Sequence, residues 1–201
     1  GSAYIFVKSD NGSWIEVQKL LSNPTITTGT PRYGFSVSIS KDANYIAVGA
    51  LQNDTGGNNR GAVYIFKREP DSHRWTQMSY LQGLANEQKF GDTVSLSSDG
   101  SFLAVGAPND ATIRGAAYIY KQTSDDGSSW DSGQKIVASD GASNNSFGGS
   151  LQISGDTNYL AVGAMNEDLG PGGTNSGAVY IYHRNGANGA NQWHTSDEYK
   201  L

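Results

Sequence analysis

The chain of 201 residues has 26 glycines, an aromatic fraction of 10% and a charged fraction of only 16%, a mixture that excludes intrinsic disorder and favours short strands joined by tight turns. Its net charge of −5 offers no basic surface for nucleic acid, and no apolar run approaches the roughly 20 residues of a membrane span. The absence of cysteine excludes disulfide scaffolds, thiolate catalysis and cysteine-based zinc sites.

The chain opens with two predicted strands, at residues 1–6 and 14–20, and both return later. The first reads glycine, a small residue, alanine or valine, tyrosine, isoleucine and a second aromatic residue, and this pattern recurs at residues 61–66, 115–120 and 177–182. The second starts at a tryptophan, and the four tryptophans of the chain begin the segments 14–20, 75–81, 130–137 and 193–201. This pair of strands therefore occurs four times.

Two further strands recur three times at a constant spacing of 57 residues. One starts with an aromatic-glycine pair and then alternates, at residues 33–40, 90–97 and 147–154. The other is an apolar run that ends in Gly-Ala, at residues 45–50, 102–107 and 159–164. In the alternating strand, Val37 and Ile39 point to one face while Ser36 and Ser38 point to the other, where small side chains suit a crowded contact between strands.

Four strands per repeat, separated by short polar turns, predict one antiparallel sheet that is apolar on both faces and must stack on its neighbours. A β-sandwich is the competing fold, but sandwiches do not repeat an internal unit three times. The predicted fold class is therefore an all-β propeller of four-stranded antiparallel blades. We expect three and a half blades: a half blade at residues 1–21 and blades at residues 33–82, 90–138 and 147–201.

These motifs resemble the FG-GAP repeat of integrin α-chain propellers. The letters of that name appear at Phe90-Gly91 and at Gly106-Ala107-Pro108, and the resemblance extends over essentially the whole chain. It implies a seven-bladed or assembled propeller, completed by another chain or by further sequence. It also implies a non-catalytic extracellular or cell-surface module for adhesion or for binding a protein or glycan ligand. The alternative is a structural subunit that joins copies of itself through blade faces into a ring, fibre or larger propeller.

Integrin propellers often carry a calcium loop, Asp-x-Asp-x-Asp-Gly, between the first two strands of a blade. This chain has a single acidic residue in each such connection, too few oxygens for calcium, and we expect these residues to close hairpin turns: Asp42, Asp99 and Asp156. The candidate metal ligands that remain lie between the second and third strands, at Asp54, Asp110 and Asp168. A flexible polar turn has the same composition, so we expect no cofactor, with a cation at these aspartates as the alternative.

The sequence offers no catalytic constellation. The only histidines are His73, His183 and His194, and none lies on a repeated, inward-facing motif. Neither a nucleophile elbow, nor a zinc-protease motif, nor a phosphate-binding loop is present. The sequence therefore predicts that the chain is not an enzyme.

Three N-glycosylation sequons fit an extracellular setting, at Asn11, Asn53 and Asn144. All three fall in predicted loops. In a chain this rich in asparagine and serine, chance accounts for some of them. They add modest support for a secreted glycoprotein.

Overall fold

The computed structural model describes residues 1–23, 31–55, 58–85, 88–110, 114–142, 145–167, 175–185 and 192–201. Within these ranges no helix has the length and apolar character needed to cross a bilayer. The described residues include fourteen strands: β1 (Ala3–Lys8), β2 (Trp14–Leu20), β3 (Val37–Ile39), β4 (Tyr45–Ala50), β5 (Ala62–Arg68), β6 (Trp75–Gln82), β7 (Val94–Leu96), β8 (Phe102–Ala107), β9 (Ala116–Lys121), β10 (Gln134–Ile136), β11 (Phe147–Ile153), β12 (Tyr159–Ala164), β13 (Ala178–Asn185) and β14 (Gln192–Lys200).

These strands form four antiparallel sheets in simple up-and-down order. The first blade is β3-β4-β5-β6, the second is β7-β8-β9-β10 and the third is β11-β12-β13-β14. The pair β1-β2 is a half blade, equivalent to the third and fourth strands of the others. The predicted fold class, an all-β arrangement of about three and a half propeller blades, is confirmed.

A repeated side-chain network closes the hairpin between the first two strands of each blade. In the first blade, Ser40 Oγ donates to Asp42 Oδ1 at 2.5 Å and accepts a bond from the backbone N–H of Tyr45 at 3.0 Å. The same bonds connect Ser97 with Asp99, and Ser154 with Asp156. The expectation that these aspartates close hairpin turns is therefore confirmed.

The alternating serines connect one blade to the next. Ser36 Oγ donates to the carbonyl oxygen of Gly91 at 2.8 Å, and the backbone N–H of Leu96 donates to Ser38 Oγ at 3.0 Å. Thr93 and Ser95 make the equivalent bonds from the second blade to the third. Neighbouring inner strands come so close that a Cβ at Gly106 would overlap the carbonyl oxygen of Gly148, which explains the glycine at this position.

Aromatic side chains pack together at the start of each blade. The aromatic residue of each aromatic-glycine pair packs edge-on against the tyrosine of the third strand in its own blade. The ring centroids are 5.4 Å apart for Tyr33 and Tyr64, 5.5 Å for Phe90 and Tyr118, and 5.4 Å for Phe147 and Tyr180. The aromatic-glycine motif thus anchors the start of each complete blade to its own core.

Candidate functional site

The blades present two different ends. We call the end with the connections from the second to the third strand of each blade the loop face. The opposite end, with the hairpins of Asp42, Asp99 and Asp156, is the hairpin face. Because loops supported by a rigid sheet commonly carry the binding residues of a domain, the loop face is the candidate binding surface.

One buried polar residue stands at the base of each loop on the loop face, three positions after the Gly-Ala motif. These residues are Asn53, Asp110 and Glu167, and all three are buried. A buried amide or carboxylate is stable only when its hydrogen bonds are satisfied. Each one, together with the partners described below, forms what we call a loop-base cluster.

In the second blade, the loop-base cluster is built around Asp110. Tyr118 donates its hydroxyl proton to the Asp110 carboxylate, and Lys135 Nζ lies 2.9 Å from Asp110 Oδ2. Gln88 Nε2 donates to the Tyr118 hydroxyl at 3.2 Å. Burial alone would raise the pKa of Asp110, but the hydrogen bonds from Tyr118 and Lys135 outweigh it and hold that pKa below its ordinary value. The cluster therefore contains an ionised carboxylate paired with an ammonium group.

The third blade repeats this arrangement with a second acid. Lys200 Nζ donates to Asp140 at 2.6 Å and to Glu167 at 2.9 Å. Asn145 donates its side-chain amide to Glu167, and the Tyr180 hydroxyl donates to Asp140 at 2.8 Å. Desolvation lowers the pKa of Lys200, but its bonds to the two carboxylates more than compensate, so this pKa lies above its ordinary value.

The first blade has a neutral version of the same cluster. Asn53 Nδ2 donates to the Tyr64 hydroxyl at 2.8 Å, and burial raises the pKa of Tyr64 to about 12. In the register across from this tyrosine, where the other blades have lysine, Tyr80 stacks on the Tyr64 ring with centroids 5.8 Å apart. The acid and the lysine are thus replaced together, which avoids a buried charge without a partner.

Of the three predicted metal ligands, the structure describes Asp54 and Asp110, and both are engaged in other contacts. Asp110 is engaged by Tyr118 and Lys135, and Asp54 Oδ1 accepts the backbone N–H of Asn59 at 2.7 Å. Asp168 lies outside the described residues. In the part of the chain that the structure describes, no group of three or more histidine, aspartate or glutamate side chains could hold a metal ion. A cation at Asp110 would have to displace the ammonium group of Lys135.

The three sequons differ in accessibility. Asn11 is exposed in the turn between β1 and β2, where its side-chain oxygen accepts a bond from Ser13 N. Asn53, by contrast, is fully buried and uses its amide nitrogen to hold Tyr64. This burial argues against a glycan on Asn53 in the folded protein, because the modified atom is the one that bonds Tyr64. Asn144 lies outside the described residues.

Sequence reasoning did not identify the lysines of the loop-base clusters or the role of Asn53. The signal was present in the repeat itself. Asn53, Asp110 and Glu167 stand at the same distance from the Gly-Ala motif, and Lys135 and Lys200 face the repeated tyrosine across one strand pair. Alignment of the repeats position by position would have shown that the two units with an acid at the loop base also have a lysine in the fourth strand, although not that the two side chains meet.

The repeated four-stranded sheets and their loop-base clusters define the class of protein, a β-propeller region built from one repeated blade. A model of the FG-GAP repeat matches residues 14–66 and 130–182, just over half of the chain. The chain therefore belongs to the FG-GAP repeat family. A search of curated proteins finds no match.

Solved structures with similar folds come from several organisms. A protein from Lactobacillus plantarum matches with a TM-score of 0.56 and 17% identity, over 98% of this chain and 48% of its own. A Bacteroides uniformis protein, described as a candidate 6-phosphogluconolactonase, matches with a TM-score of 0.60 and 14% identity, over 98% and 51%. Saccharomyces cerevisiae Sqt1 matches with a TM-score of 0.52 and 14% identity, over 86% and 36%.

The chain thus spans about half the length of the first two of these proteins. Identities this low show a shared fold and carry no information about activity.

Proposed function

We propose that the chain is a non-catalytic, extracellular or cell-surface module that binds a protein or glycan ligand through its loop face. The observation that carries this proposal is the combination of a fixed loop base with loops of unequal length. The loop-base clusters hold the same position in all three blades. Between the Gly-Ala motif and the next strand motif, the connections occupy residues 51–60, 108–114 and 165–176. Such an arrangement varies the contact surface without disturbing the blade.

The chemistry of these connections suits polar recognition. Asn, Asp, Thr and Gly dominate residues 52–59, and their amides, hydroxyls and carboxylates can exchange hydrogen bonds with sugar hydroxyls or with a peptide backbone. Thr55 is exposed, and its backbone N–H is held by Asn53 Oδ1 at 2.7 Å. A loop that is ordered before binding loses less entropy when the ligand arrives.

The placement of the histidines supports a non-catalytic role. His73 lies in an exposed turn of the hairpin face, and His183 and His194 face each other across β13 and β14, away from the loop-base clusters. The lactonase description of the Bacteroides protein applies to that protein alone, since at 14% identity it does not extend to this chain.

The proposal is tested by presenting the chain to arrays of immobilised glycans and extracellular-matrix proteins. We expect saturable capture by at least one ligand, and hydrolysis of 6-phosphogluconolactone at the buffer rate. Secretion from a eukaryotic host should give a chain with a glycan at Asn11 and none at Asn53, as measured by peptide mass spectrometry. Lactone hydrolysis well above the buffer rate, or no capture on either array, would contradict the proposal.

A second candidate function, assembly through blade faces, is favoured by the outer surface of the third blade. Tyr159 is 51% exposed, whereas Tyr45 at the same position of the first blade is 7% exposed because the second blade covers it. Val179 and Met165 are exposed in the same way, although Val63 and Leu51 at their positions are buried. Sedimentation of wild-type chain and of Val179→Asp tests this alternative, which predicts self-association that the substitution reduces.

A further inference from the structure

The turn between β1 and β2 contains an asparagine followed by a glycine. Asn11 and Gly12 are both exposed, and a Cβ added to Gly12 would meet no other atom within 4 Å. The chain has two further Asn-Gly pairs, at residues 185–186 and 188–189, but only the first pair lies wholly within the described residues. Because glycine has no Cβ, it leaves its own backbone nitrogen accessible to the side chain of the preceding residue.

This turn is a local unit whose geometry is set by its own residues. The polar contacts that the structure describes for Asn11 come from Ser9 and Ser13, within the same turn. The equivalent turns of complete blades are exposed as well. Residues 69–74 are exposed between β5 and β6, and Asp126 is exposed between β9 and β10. Exposure is therefore a general property of this connection in the repeat.

The side-chain oxygen of Asn11 accepts two hydrogen bonds. Ser9 Oγ donates to Asn11 Oδ1 at 2.6 Å, and the backbone N–H of Ser13 donates to the same oxygen at 3.0 Å. Ser9 Oγ also lies 2.9 Å from the Ser13 carbonyl oxygen, which is the longer of its two contacts. Donors directed at a carbonyl oxygen stabilise the negative charge that develops there when a nucleophile attacks the carbon. The turn therefore activates the amide carbon of Asn11.

We propose that this turn is a site of self-modification, in which the backbone nitrogen of Gly12 attacks the side-chain amide of Asn11. The Gly12 nitrogen gives up its proton to water and bonds to Asn11 Cγ, while negative charge collects on Oδ1, held by the two donors. The bond from Cγ to Nδ2 then breaks, and Nδ2 takes up a proton and leaves as ammonia. The product is a five-membered succinimide ring between the side chain and the backbone. The two reacting groups belong to adjacent residues, which makes the step intramolecular.

Water opens the ring at either of its two carbonyl carbons. Attack on Cγ gives aspartate, and attack on the backbone carbonyl carbon gives isoaspartate, in which the main chain runs through the former side chain. Both products add a negative charge and lack Nδ2, the atom to which a glycan of the Asn11 sequon would be attached. Glycosylation and this reaction therefore exclude each other. The inference goes beyond the proposed function, because it concerns the hairpin face and requires no ligand.

One hydrogen bond restrains the reaction. The backbone N–H of Gly12 donates to the carbonyl oxygen of Ser9 at 2.9 Å, and this bond must open before the nitrogen can attack. Because the turn is exposed, water can take the place of the Ser9 carbonyl as the acceptor. The restraint therefore slows the attack without preventing it.

Asn44, in the hairpin between β3 and β4, is a natural comparison within the same chain. Its Nδ2 donates to Asp42 at 2.7 Å, so the group that would leave is held in place. The backbone N–H of the following residue, Tyr45, donates to Ser40 Oγ at 3.0 Å, and the Tyr45 side chain is buried. Both the leaving group and the attacking nitrogen are thus fixed, and we expect Asn44 to persist.

The experiment follows the full chain, produced without N-glycosylation, during incubation at pH 8 and 37 °C. Peptide mass spectrometry measures the conversion of Asn11 and of Asn44 in the same sample, and labelling by an isoaspartyl methyltransferase measures isoaspartate. We expect conversion at Asn11 to be at least about tenfold faster than at Asn44. Chain that has a glycan at Asn11 should show no conversion there.

Variants of Ser9 separate assistance by the folded turn from the ordinary reactivity of an Asn-Gly pair. Ser9→Ala removes the hydroxyl donor and should slow conversion at Asn11 about tenfold, whereas Ser9→Thr keeps a hydroxyl and should retain most of the rate. In a synthetic peptide of residues 7–15, too short to form a stable hairpin, Ser9→Ala should have no effect. The proposal is overturned if Asn11 reacts no faster than Asn44, or if Ser9→Ala leaves the rate in the full chain unchanged or raises it. It is also overturned if the peptide shows the same slowing, since the folded turn then contributes nothing.

Discussion

Lys135 lies 2.9 Å from the Asp110 carboxylate, and its register position is occupied by Tyr80 in the blade where asparagine replaces the aspartate. The two blades thus provide partners for the buried polar residue at the loop base in two ways. One pairs a buried carboxylate with a tyrosine hydroxyl and a partly exposed lysine, and the other has a buried amide and a partly exposed ring that stacks on the tyrosine. Changing one member alone should be costly, whereas changing both should be tolerated.

The first prediction concerns this exchange. Asp110→Asn should lower the free energy of unfolding by about 1–3 kcal/mol, because the neutral amide at this buried position loses the ion pair with the partly exposed Lys135 and weakens the hydrogen bond from the Tyr118 hydroxyl. The melting temperature should fall by roughly 3–10 °C. Adding Lys135→Tyr, which copies the first blade, should recover most of the loss in a double-mutant cycle. A loss of stability in the double variant equal to the sum of the losses in the two single variants would show that the two positions are not coupled.

Acid stability depends on the same carboxylates. The folded-state pKa of Asp110 and that of Asp140 both lie below the ordinary value of 3.8. Burial opposes this lowering in each case, and hydrogen bonds from lysine and tyrosine produce it. Groups with a depressed pKa contribute stability that is complete above the unfolded-state pKa and is lost as the pH falls through the folded-state value.

The second prediction follows from the lowered pKa values of Asp110 and Asp140. The melting temperature should decline as the pH falls below about 4, and it should decline less steeply in Asp110→Asn, which lacks one of the linked protons. Calorimetry from pH 6 to pH 2 measures both slopes. A wild-type slope equal to that of the variant would mean that Asp110 has the same pKa in the folded and unfolded chain.

The third prediction concerns Tyr33, the aromatic residue that leads the first blade. Its hydroxyl is buried and has no hydrogen-bond partner among the described residues, whereas phenylalanine stands at this position in the other two blades, as Phe90 and Phe147. Tyr33→Phe should therefore raise the free energy of unfolding by about 1 kcal/mol, since it removes an unsatisfied polar group and keeps the ring. Chemical denaturation measures the change.

Tyr118→Phe is the matched control for that substitution. It removes a buried hydroxyl that donates to Asp110, so it should destabilise the chain. Loss of stability in both variants would indicate that the Tyr33 hydroxyl does have a partner in solution.

The sequence predicted the features that depend on neighbouring residues. It did not predict those that depend on contacts between separate strands. The alternation of Val37 and Ile39 with serine predicted a strand, and the small residues at Ser36 and Ser38 predicted a crowded contact, which proved to be hydrogen bonding to the next blade. Such features repeat within a few residues, so they are visible as a pattern. The pairing of Lys135 with Asp110 depends on the register between separate strands, which no local pattern specifies.

The candidate metal and glycan positions also could not be interpreted from local sequence alone. Asp110 and Asn53 look like exposed loop residues in the sequence, because composition cannot distinguish a polar residue that anchors a loop from one at its tip. In the structure both are buried and hydrogen-bonded to a tyrosine of the third strand.

The fourth prediction tests the alternative of a cation at Asp54, Asp110 and Asp168. Because Lys135 neutralises Asp110, and Asp54 accepts a backbone N–H, we expect the melting temperature to be the same with 1 mM calcium as with chelator, within about 1 °C. Differential scanning fluorimetry is sufficient. A stabilisation that rises with calcium concentration, as binding to the folded state requires, would support a metal site and contradict this prediction.

Ligand binding at the loop face is tested most directly by site-directed blocking. Because the chain has no cysteine, Thr55→Cys on the loop face or Lys41→Cys on the hairpin face can each be coupled to a single bulky maleimide polymer. Both side chains are exposed, so neither change should disturb the fold. Capture on the glycan and matrix-protein arrays should be lost when the polymer is at position 55 and retained when it is at position 41. Retained capture with the loop face blocked, or loss with the hairpin face blocked, would contradict ligand binding at the loop face.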